Sequence, residues 1–389
     1  MADTTSLQAL MHHSLQRYSA EHRLSPRQWQ VCRHVLDCRT PALGGLALQC
    51  DHCQVRQPQY HACRDRHCPR CQRRASQAWC ARQRAALLPV TYYHLVFTLP
   101  HTLNPWVELH ARRLYALLFE TVWATVCAFG SDPKRLGGQM GMSAVLHTWG
   151  ENLSRHVHLH CLVPGGAWSD TGRWRRARST YLFPVRALSR HFRGGFVSRL
   201  RQAIDAGQFA RITDTAQVET VLRTLMDTHW VVYAKPCLTH TETVLEYLGR
   251  YSHRVALSDS RLSRHGNEHV ALRYKDYRDG ARHKLMTRSA HELIRRFLLH
   301  VLPKHFVRIR HYGLLANRSR GVLLETARRL IAETQQPSSD FKESPSTVET
   351  ADSSFERSCP RCGKRSFVII DQLTAVDLAR FLPELVDTS

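Results

Sequence analysis

His156-Val157-His158-Leu159-His160-Cys161-Leu162-Val163 alternates histidine with an apolar residue over its first five positions. In a strand, side chains point to opposite faces with a period of two. His156, His158 and His160 therefore share one face, and Val157 and Leu159 take the other. Successive histidines on that face stand about 6.6 Å apart, at ~3.3 Å of rise per residue. Two such imidazoles can close on one metal ion, whereas three from one straight strand would strain. The same pattern also suits a half-buried strand whose histidines lie in water. The surrounding sequence decides between the two.

Working outward, residues 142–149 read as a second strand, and the short turn at 150–155 predicts that the two pair as a hairpin. Pro164-Gly165-Gly166 ends it. Upstream, residues 91–99 are β-branched and aromatic and stop at Pro100, which predicts another strand. Downstream, residues 230–234, 270–274 and 284–287 read as strands, and 306–312 as a basic, extended segment. Helical patterns occupy 1–37 (with a start at Ser25-Pro26), 73–88 before Pro89, 105–129 before Gly130, 187–225, 241–254, and from Ser289 to about 300. Tyr247 and Tyr251 lie four apart on the 241–254 pattern, so both hydroxyls project from one helix face. Such a pair is by itself more often packing than chemistry.

The cysteines form a separate signal. Cys50-x2-Cys53 and Cys68-x2-Cys71 are separated by a short basic segment. Two such knuckles suit one tetrahedral Zn(II), so a structural zinc on Cys50, Cys53, Cys68 and Cys71 is expected. Cys38, Cys63, His61 and His67 lie in the same stretch and leave room for a ligand swap or a second ion. Arg64, Arg66, Arg70, Arg73 and Arg74 make the stretch basic, and a basic zinc module fits DNA as well as a purely structural role. Near the other end, Cys359-Pro360-Arg361-Cys362-Gly363 is half a knuckle with no second half after it. Either it borrows ligands from elsewhere or it binds nothing stably. Residues 335–355, rich in Ser, Thr, Pro and Glu, read as a disordered linker.

The chain has 389 residues, with 55 Lys plus Arg against 32 Asp plus Glu, a formal charge of +23. That length supports two or three domains, and that charge attracts polyanions, nucleic acid first. No apolar run approaches the ~20 residues of a membrane span, and no signal-peptide core is evident. A cytoplasmic protein without a membrane partner is expected, so its 13 cysteines read as metal ligands or buried thiols rather than disulfides. Arg173 to Arg178, with Trp174 among the arginines, suits either a phosphate-and-base contact or a solvated loop.

His158-Leu159-His160-Cys161-Leu162-Val163 resembles the HUH motif of single-strand DNA endonucleases, in which two histidines flank a hydrophobic residue and a tyrosine-bearing helix follows. The likeness narrows when further motifs are read in order: Leu146-His147-Thr148-Trp149-Gly150, Val232-Tyr233-Ala234-Lys235-Pro236, Tyr247-Leu248-Gly249-Arg250-Tyr251-Ser252-His253-Arg254, and Arg308-Ile309-Arg310-His311-Tyr312-Gly313-Leu314-Leu315-Ala316-Asn317. Together with Arg66-His67-Cys68-Pro69-Arg70-Cys71, they are similar to the insertion-sequence transposases of the ninety-one family over roughly residues 25–330. Glu151 and Val157 stand where that pattern would carry Gln and Pro, and neither touches a residue assigned to chemistry.

The resemblance implies an α+β fold: an HUH-type central antiparallel sheet with helices packed on it, preceded by an N-terminal zinc-binding module. It divides the chain into a zinc- and DNA-binding module (1–88), a catalytic domain (89–330) and a linker with a knuckle-bearing tail (331–389). It implies an enzyme that cleaves and rejoins single-stranded DNA through 5′-phosphotyrosine on Tyr247 and Tyr251 and drives rolling-circle transposition. A divalent ion on His158 and His160 is implied, with Mg or Mn expected. Imidazole ligation itself suits Mn(II), Co(II) or Zn(II), whereas Mg(II) prefers oxygen. His147, His156 and Glu246 are candidates for a third ligand. Lys235, Arg250 and Arg254 are candidate phosphate clamps. Single-stranded DNA at the element ends, host replication proteins and a further copy of the chain are the implied partners, met at the bacterial nucleoid. Two other readings remain: a plasmid replication initiator or relaxase with the same chemistry, and a non-enzymatic zinc DNA-binding protein. The latter leaves the histidine strand and paired tyrosines unexplained.

Overall fold

The structure, a computed structural model, describes residues 4–84, 86–177, 181–238, 249, 256–266, 268–277, 279–318, 320–334 and 358–378. Apart from Gly249, the expected 241–254 helix with Tyr247 and Tyr251, the clamp candidates Arg250 and Arg254, the ligand candidate Glu246 and the 335–355 linker lie outside the described residues.

Two helices lead, α1 (Leu7–Glu21) and α2 (Pro26–Asp37). Ser25 starts the second as expected. Its hydroxyl accepts from the Gln28 amide while the Gln28 side chain accepts from the Ser25 amide, which satisfies two otherwise orphaned donors. A hairpin of β1 (Gly45–Cys50) and β2 (Arg56–Tyr60) follows, then α3 (Pro69–Arg84). Next come β3 (Tyr92–Thr98), α4 (Asn104–Ser131) and the short β4 (Gly138–Gln139). The expected hairpin is β5 (Gly141–Trp149) with β6 (Arg155–Pro164). Beyond it lie β7 (Gly166–Ser169), β8 (Trp174–Arg176), α5 (Val185–Asp205) and α6 (Thr215–Asp227). The 187–225 helical pattern is thus two helices, broken where Gly207 takes a φ of 71°. The chain continues through β9 (Val232–Leu238), β10 (Leu262–His265), β11 (His269–Asp276) and β12 (Arg282–Ser289). Then come α7 (Ala290–Leu298), β13 (Ile309–Gly313), α8 (Arg320–Thr334) and β14 (Phe367–Leu373).

The fold is α+β, and its centre is a five-stranded sheet in the order β13-β5-β6-β3-β9. Every pairing in it is antiparallel, and the histidine strand β6 lies in the middle. Its two faces divide as the sequence alternation requires. Val157, Leu159, Cys161 and Val163 of β6 join Leu95 and Phe97 of β3 and Ala144 and Leu146 of β5 in the main core, under α4 and α5. α4 is long and apolar enough to cross a membrane by length and composition alone, contrary to the expectation that no such run exists. Leu114, Leu118, Val122 and Val126 bury its apolar side in that core, so packing against the sheet accounts for its composition.

The opposite face carries the histidines. A smaller apolar cluster of Leu162, Tyr92, Trp174 and α8 residues covers one end of it. A second core, built from α1, α2, α7 and the β10-β11-β12 sheet, reaches Trp149 at the other. The histidine face therefore runs between two packed blocks.

The C-terminal end does not stand apart. β14 pairs antiparallel with β1, giving a sheet in the order β14-β1-β2 within the N-terminal module. No element is assigned to Phe367–Leu373 from the sequence, and the strand buries only its two ends.

Candidate active site and zinc centre

His158 and His160 leave the same face of β6, and their Nε2 atoms lie 3.1 Å apart. His147 is the cross-strand partner of His158 in the β5–β6 hairpin. One ring nitrogen from each of His147, His158 and His160 lies within 4.8 Å of the others, the spacing a single ion needs. Neighbouring strands only ~4.8 Å apart relieve the strain of drawing three ligands from one strand. Of the two third-ligand candidates among the described residues, His147 joins the cluster and His156 does not; Glu246 lies outside the described residues. The His156 ring is turned toward the end of the sheet, with Nδ1 3.1 Å from His101 Nε2.

The second ring nitrogens of His158 and His160 are held. His158 Nδ1 donates to the His156 carbonyl oxygen at 2.8 Å, which leaves its Nε2 lone pair for a cation. His160 Nδ1 meets His94 Nε2 at 2.9 Å, with the two rings stacked. His94 stands on β3, and burial pulls its pKa down to about 4. A neutral His94 can accept the His160 Nδ1 proton and so orient His160 Nε2 toward His158. The His147 ring stacks on Trp149 at 4.5 Å. His300 braces the hairpin from behind: Nδ1 lies 3.2 Å from Thr148 Oγ1 and Nε2 3.1 Å from the Leu153 carbonyl oxygen. Sequence reasoning missed His94 and His300. His94 sits in a strand with the right alternation, but nothing in the sequence names its partner. Tyr233 of β9 also reaches this face, with its ring edge toward His94. The backbone of Lys235 pairs with His94 across β3 and β9.

The zinc expectation needs correction. Cys50, Cys53, Cys68 and Cys71 do not converge. They are divided between two clusters, Cys38-Cys63-Cys68-Cys71 and Cys50-Cys53-Cys359-Cys362. The reason is the β1–β2 hairpin. Cys50 and Cys53 lie at its turn, while Cys68 and Cys71 follow its base, roughly 16 Å away at ~3.3 Å per residue. At the base, Cys38 caps the C-terminus of α2 and meets the first turn of α3. Cys38 Sγ and Cys63 Sγ lie 3.5 Å and 3.6 Å from Cys71 Sγ. Four thiolates around zinc at ~2.3 Å in a tetrahedron stand about 3.8 Å apart, so this cluster fits the ion. Asp65 sits beside it, its carboxylate held by the amide and ring of His67 (2.8 Å each) and by His34 (2.9 Å).

Between this module and the sheet lies an open recess of about 550 Å³, lined by Arg27, Arg66, Lys304, His305 and Arg308 among others. Arg66 donates to the Pro303 and Phe306 carbonyl oxygens, and Arg308 to Gln72 Oε1 at 3.0 Å. Burial, and then the Arg66 charge, pull the Arg308 pKa down to about 10. Crowded cations at the seam favour an anionic visitor.

Residues 141–321 match a family described as "Putative transposase", and residues 10–99 match one described as "Transposase zinc-binding domain" of the IS91 type. The chain is 42% identical over 369 residues, 91% of its length and 92% of the relative's, to "Putative transposase y4qJ" of Sinorhizobium fredii. It is 30% identical over 298 residues, 75% of this chain and 70% of the relative, to the "Transposase for insertion sequence element IS801" of Pseudomonas savastanoi pv. phaseolicola. This chain belongs to the IS91-type insertion-sequence transposases. No solved structure matches it. In the transposase, the histidine cluster and the seam recess both fall on residues that the family matches span or adjoin. The first cysteine cluster lies wholly within the zinc-binding match, which supports a structural zinc there.

Proposed function

We propose that this transposase cleaves and rejoins single-stranded DNA at the ends of its element by HUH chemistry, and thereby drives rolling-circle transposition. The observation that carries this reading is the convergence of His147, His158 and His160 on the middle strand pair of an antiparallel sheet. Bound there, a divalent ion, Mg or Mn, would supply Lewis-acid stabilisation of the charge developing on the phosphoryl oxygens. The protein's own part is positioning. His94 and the His156 carbonyl oxygen set the tautomers of His160 and His158, and Trp149 stacks on His147.

Tyr247 and Tyr251 are proposed as the nucleophiles. A phenol oxygen attacks phosphorus, the P–O3′ bond breaks, and the products are a 5′-phosphotyrosine and a free 3′-OH. A nearby base or water takes the phenol proton as the new bond forms, and the departing O3′ takes up a proton to become the 3′-OH. With an ordinary pKa near 10, tyrosine needs that assistance. The adduct keeps the energy of the phosphodiester, so a 3′-OH can later attack it and rejoin strands without ATP. Lys235, Arg250 and Arg254 are proposed to hold phosphates. The division into a zinc module (1–88), a catalytic domain (89–330) and a tail (331–389) whose β14 joins the zinc module's sheet, a further copy of the chain and host replication proteins as partners, and action in the cytoplasm at the nucleoid belong to the same reading.

The test is incubation of the full chain with single-stranded oligonucleotides from the element ends and Mn(II), followed by a denaturing gel. A protein–DNA adduct that survives denaturation is the expected product. Retarded DNA with no covalent adduct would favour a non-enzymatic DNA-binding protein.

A further inference from the structure

We propose that the C-terminal segment completes a second zinc site with the N-terminal module, on Cys50, Cys53, Cys359 and Cys362. The four sulfurs lie within 4.8 Å of one another. Cys50 Sγ is 3.7 Å from Cys362 Sγ, and Cys53 Sγ is 3.5 Å from Cys359 Sγ. These are the separations of thiolates on one tetrahedral zinc, about 3.8 Å for Zn–S bonds of ~2.3 Å.

The backbone gives a second, independent argument. The two half-sites have the same fold, although 306 residues separate Cys53 from Cys359. In one, the Gln54 amide donates to the Cys50 carbonyl oxygen at 2.9 Å and the Cys50 amide to the Val55 carbonyl oxygen at 3.0 Å. In the other, the Gly363 amide donates to the Cys359 carbonyl oxygen and the Cys359 amide to the Lys364 carbonyl oxygen, both at 2.8 Å. The offsets of four and five residues are the same in both. The residue after the second cysteine is left-handed in both, Gln54 at a φ of 60° and Gly363 at 73°. A non-glycine residue held there is uncommon and needs a reason. A paired knuckle facing its twin across one ion supplies it.

The site is also enclosed. Cys50 and Cys359 are buried, with Leu48 and Phe367 packed over them. The Asp51 amide donates to the Ser366 carbonyl oxygen at 2.8 Å, and β14 continues the contact along β1. Arg361, Lys364 and Arg365 flank the tail knuckle and offset the net negative charge of four thiolates on a divalent ion. Half of the ligands lie far outside the 10–99 stretch matched as zinc-binding. The ion therefore acts as a staple across the whole chain. Metal binding contributes folding free energy at such sites, and closing so long a loop is entropically costly without it.

Metal analysis of the full chain tests this, together with a variant carrying an engineered protease site within residues 335–357. The expected content is two zinc ions per chain, falling to one in Cys359→Ser/Cys362→Ser. After cleavage, the C-terminal piece should co-elute with the rest in the native protein and elute apart in the double variant. Two ions retained by Cys359→Ser/Cys362→Ser would overturn the proposal. So would one ion in the native chain, or loss of the cleaved native tail with both ions still bound. The cleavage readout on native cysteines stands even if the double variant fails to fold.

Discussion

His94 Nε2 lies 2.9 Å from His160 Nδ1, across the β3–β6 strand pair. This hydrogen bond decides which nitrogen of His160 is open toward His158 and His147. His94 is therefore a positioning residue. His94→Phe keeps a ring in the sheet and removes the acceptor. A 10- to 100-fold drop in Mn(II) affinity is expected, the scale seen when a metal-bound histidine is deprived of its hydrogen-bond partner. Calorimetric titration of Mn(II) checks it. Unchanged affinity would leave His94 as packing.

His158→Ala/His160→Ala should abolish cleavage and spare DNA binding, which rests on phosphate contacts and weakens steeply with salt. His147→Ala should resemble the double change, whereas His156→Ala should leave cleavage largely intact because its ring faces His101. Cleavage by the double variant in chelator-treated buffer would end the HUH assignment.

Tyr247 and Tyr251 sit one expected helical turn apart, a rise of about 5.4 Å. Phe at either position should leave some single-strand cleavage, Phe at both should leave none, and full transposition should need both hydroxyls. Tyr233→Phe is the informative control, since Tyr233 reaches the histidine face next to His94. An adduct that survives the Tyr247 and Tyr251 changes and disappears with Tyr233→Phe would move the nucleophile to β9.

His300 makes stability depend on pH. Burial, with a smaller contribution from the Arg155 charge, lowers its pKa to about 4, against the upward pull of its bond to Leu153. Unfolded, the ring takes a proton near 6.5; folded, it resists until about 4. The unfolded state thus binds more protons between these values, and stability falls as pH drops through that window, by roughly 3 kcal/mol in all. Denaturant unfolding of His300→Gln between pH 4.5 and 7.5 should show a flatter acid limb than the parent. Parallel limbs would remove His300 as the cause.

The seam recess can be probed at Lys304, whose side chain is exposed there. If Lys304 neutralises a DNA phosphate, Lys304→Ala should reduce the slope of log affinity against log salt by about one unit and leave zinc content unchanged. Fluorescence anisotropy against salt concentration measures it. An identical slope would take the recess off the DNA path.

The local elements were legible where one short-range signal governed them. Alternation in residues 156–163 is a property of consecutive side chains, so the two faces of β6 followed directly. Ser25-Pro26 marked α2, and the brief turn at 150–155 made the β5–β6 hairpin the natural pairing. α4 shows the limit of composition, because an apolar helix that covers a sheet and one that crosses a membrane read alike along the chain.

The sequence by itself determined which residue types could hold metal and which strand would carry the histidines, because those depend on identity and on spacing of a few residues. Tertiary structure decided which ligands meet. The strand register put His147 opposite His158, which no local pattern announces. His94 became relevant only because β3 lies on the other side of β6. Any Cys-x2-Cys pair can complete any other, and the choice was made by a hairpin that carries Cys50 and Cys53 away from Cys68 and Cys71, and by β14, which returns Cys359 and Cys362 to them. Such pairings join residues as distant as Cys53 and Cys359, 306 positions apart, and their geometry is set by the packing of whole sheets rather than by any local pattern.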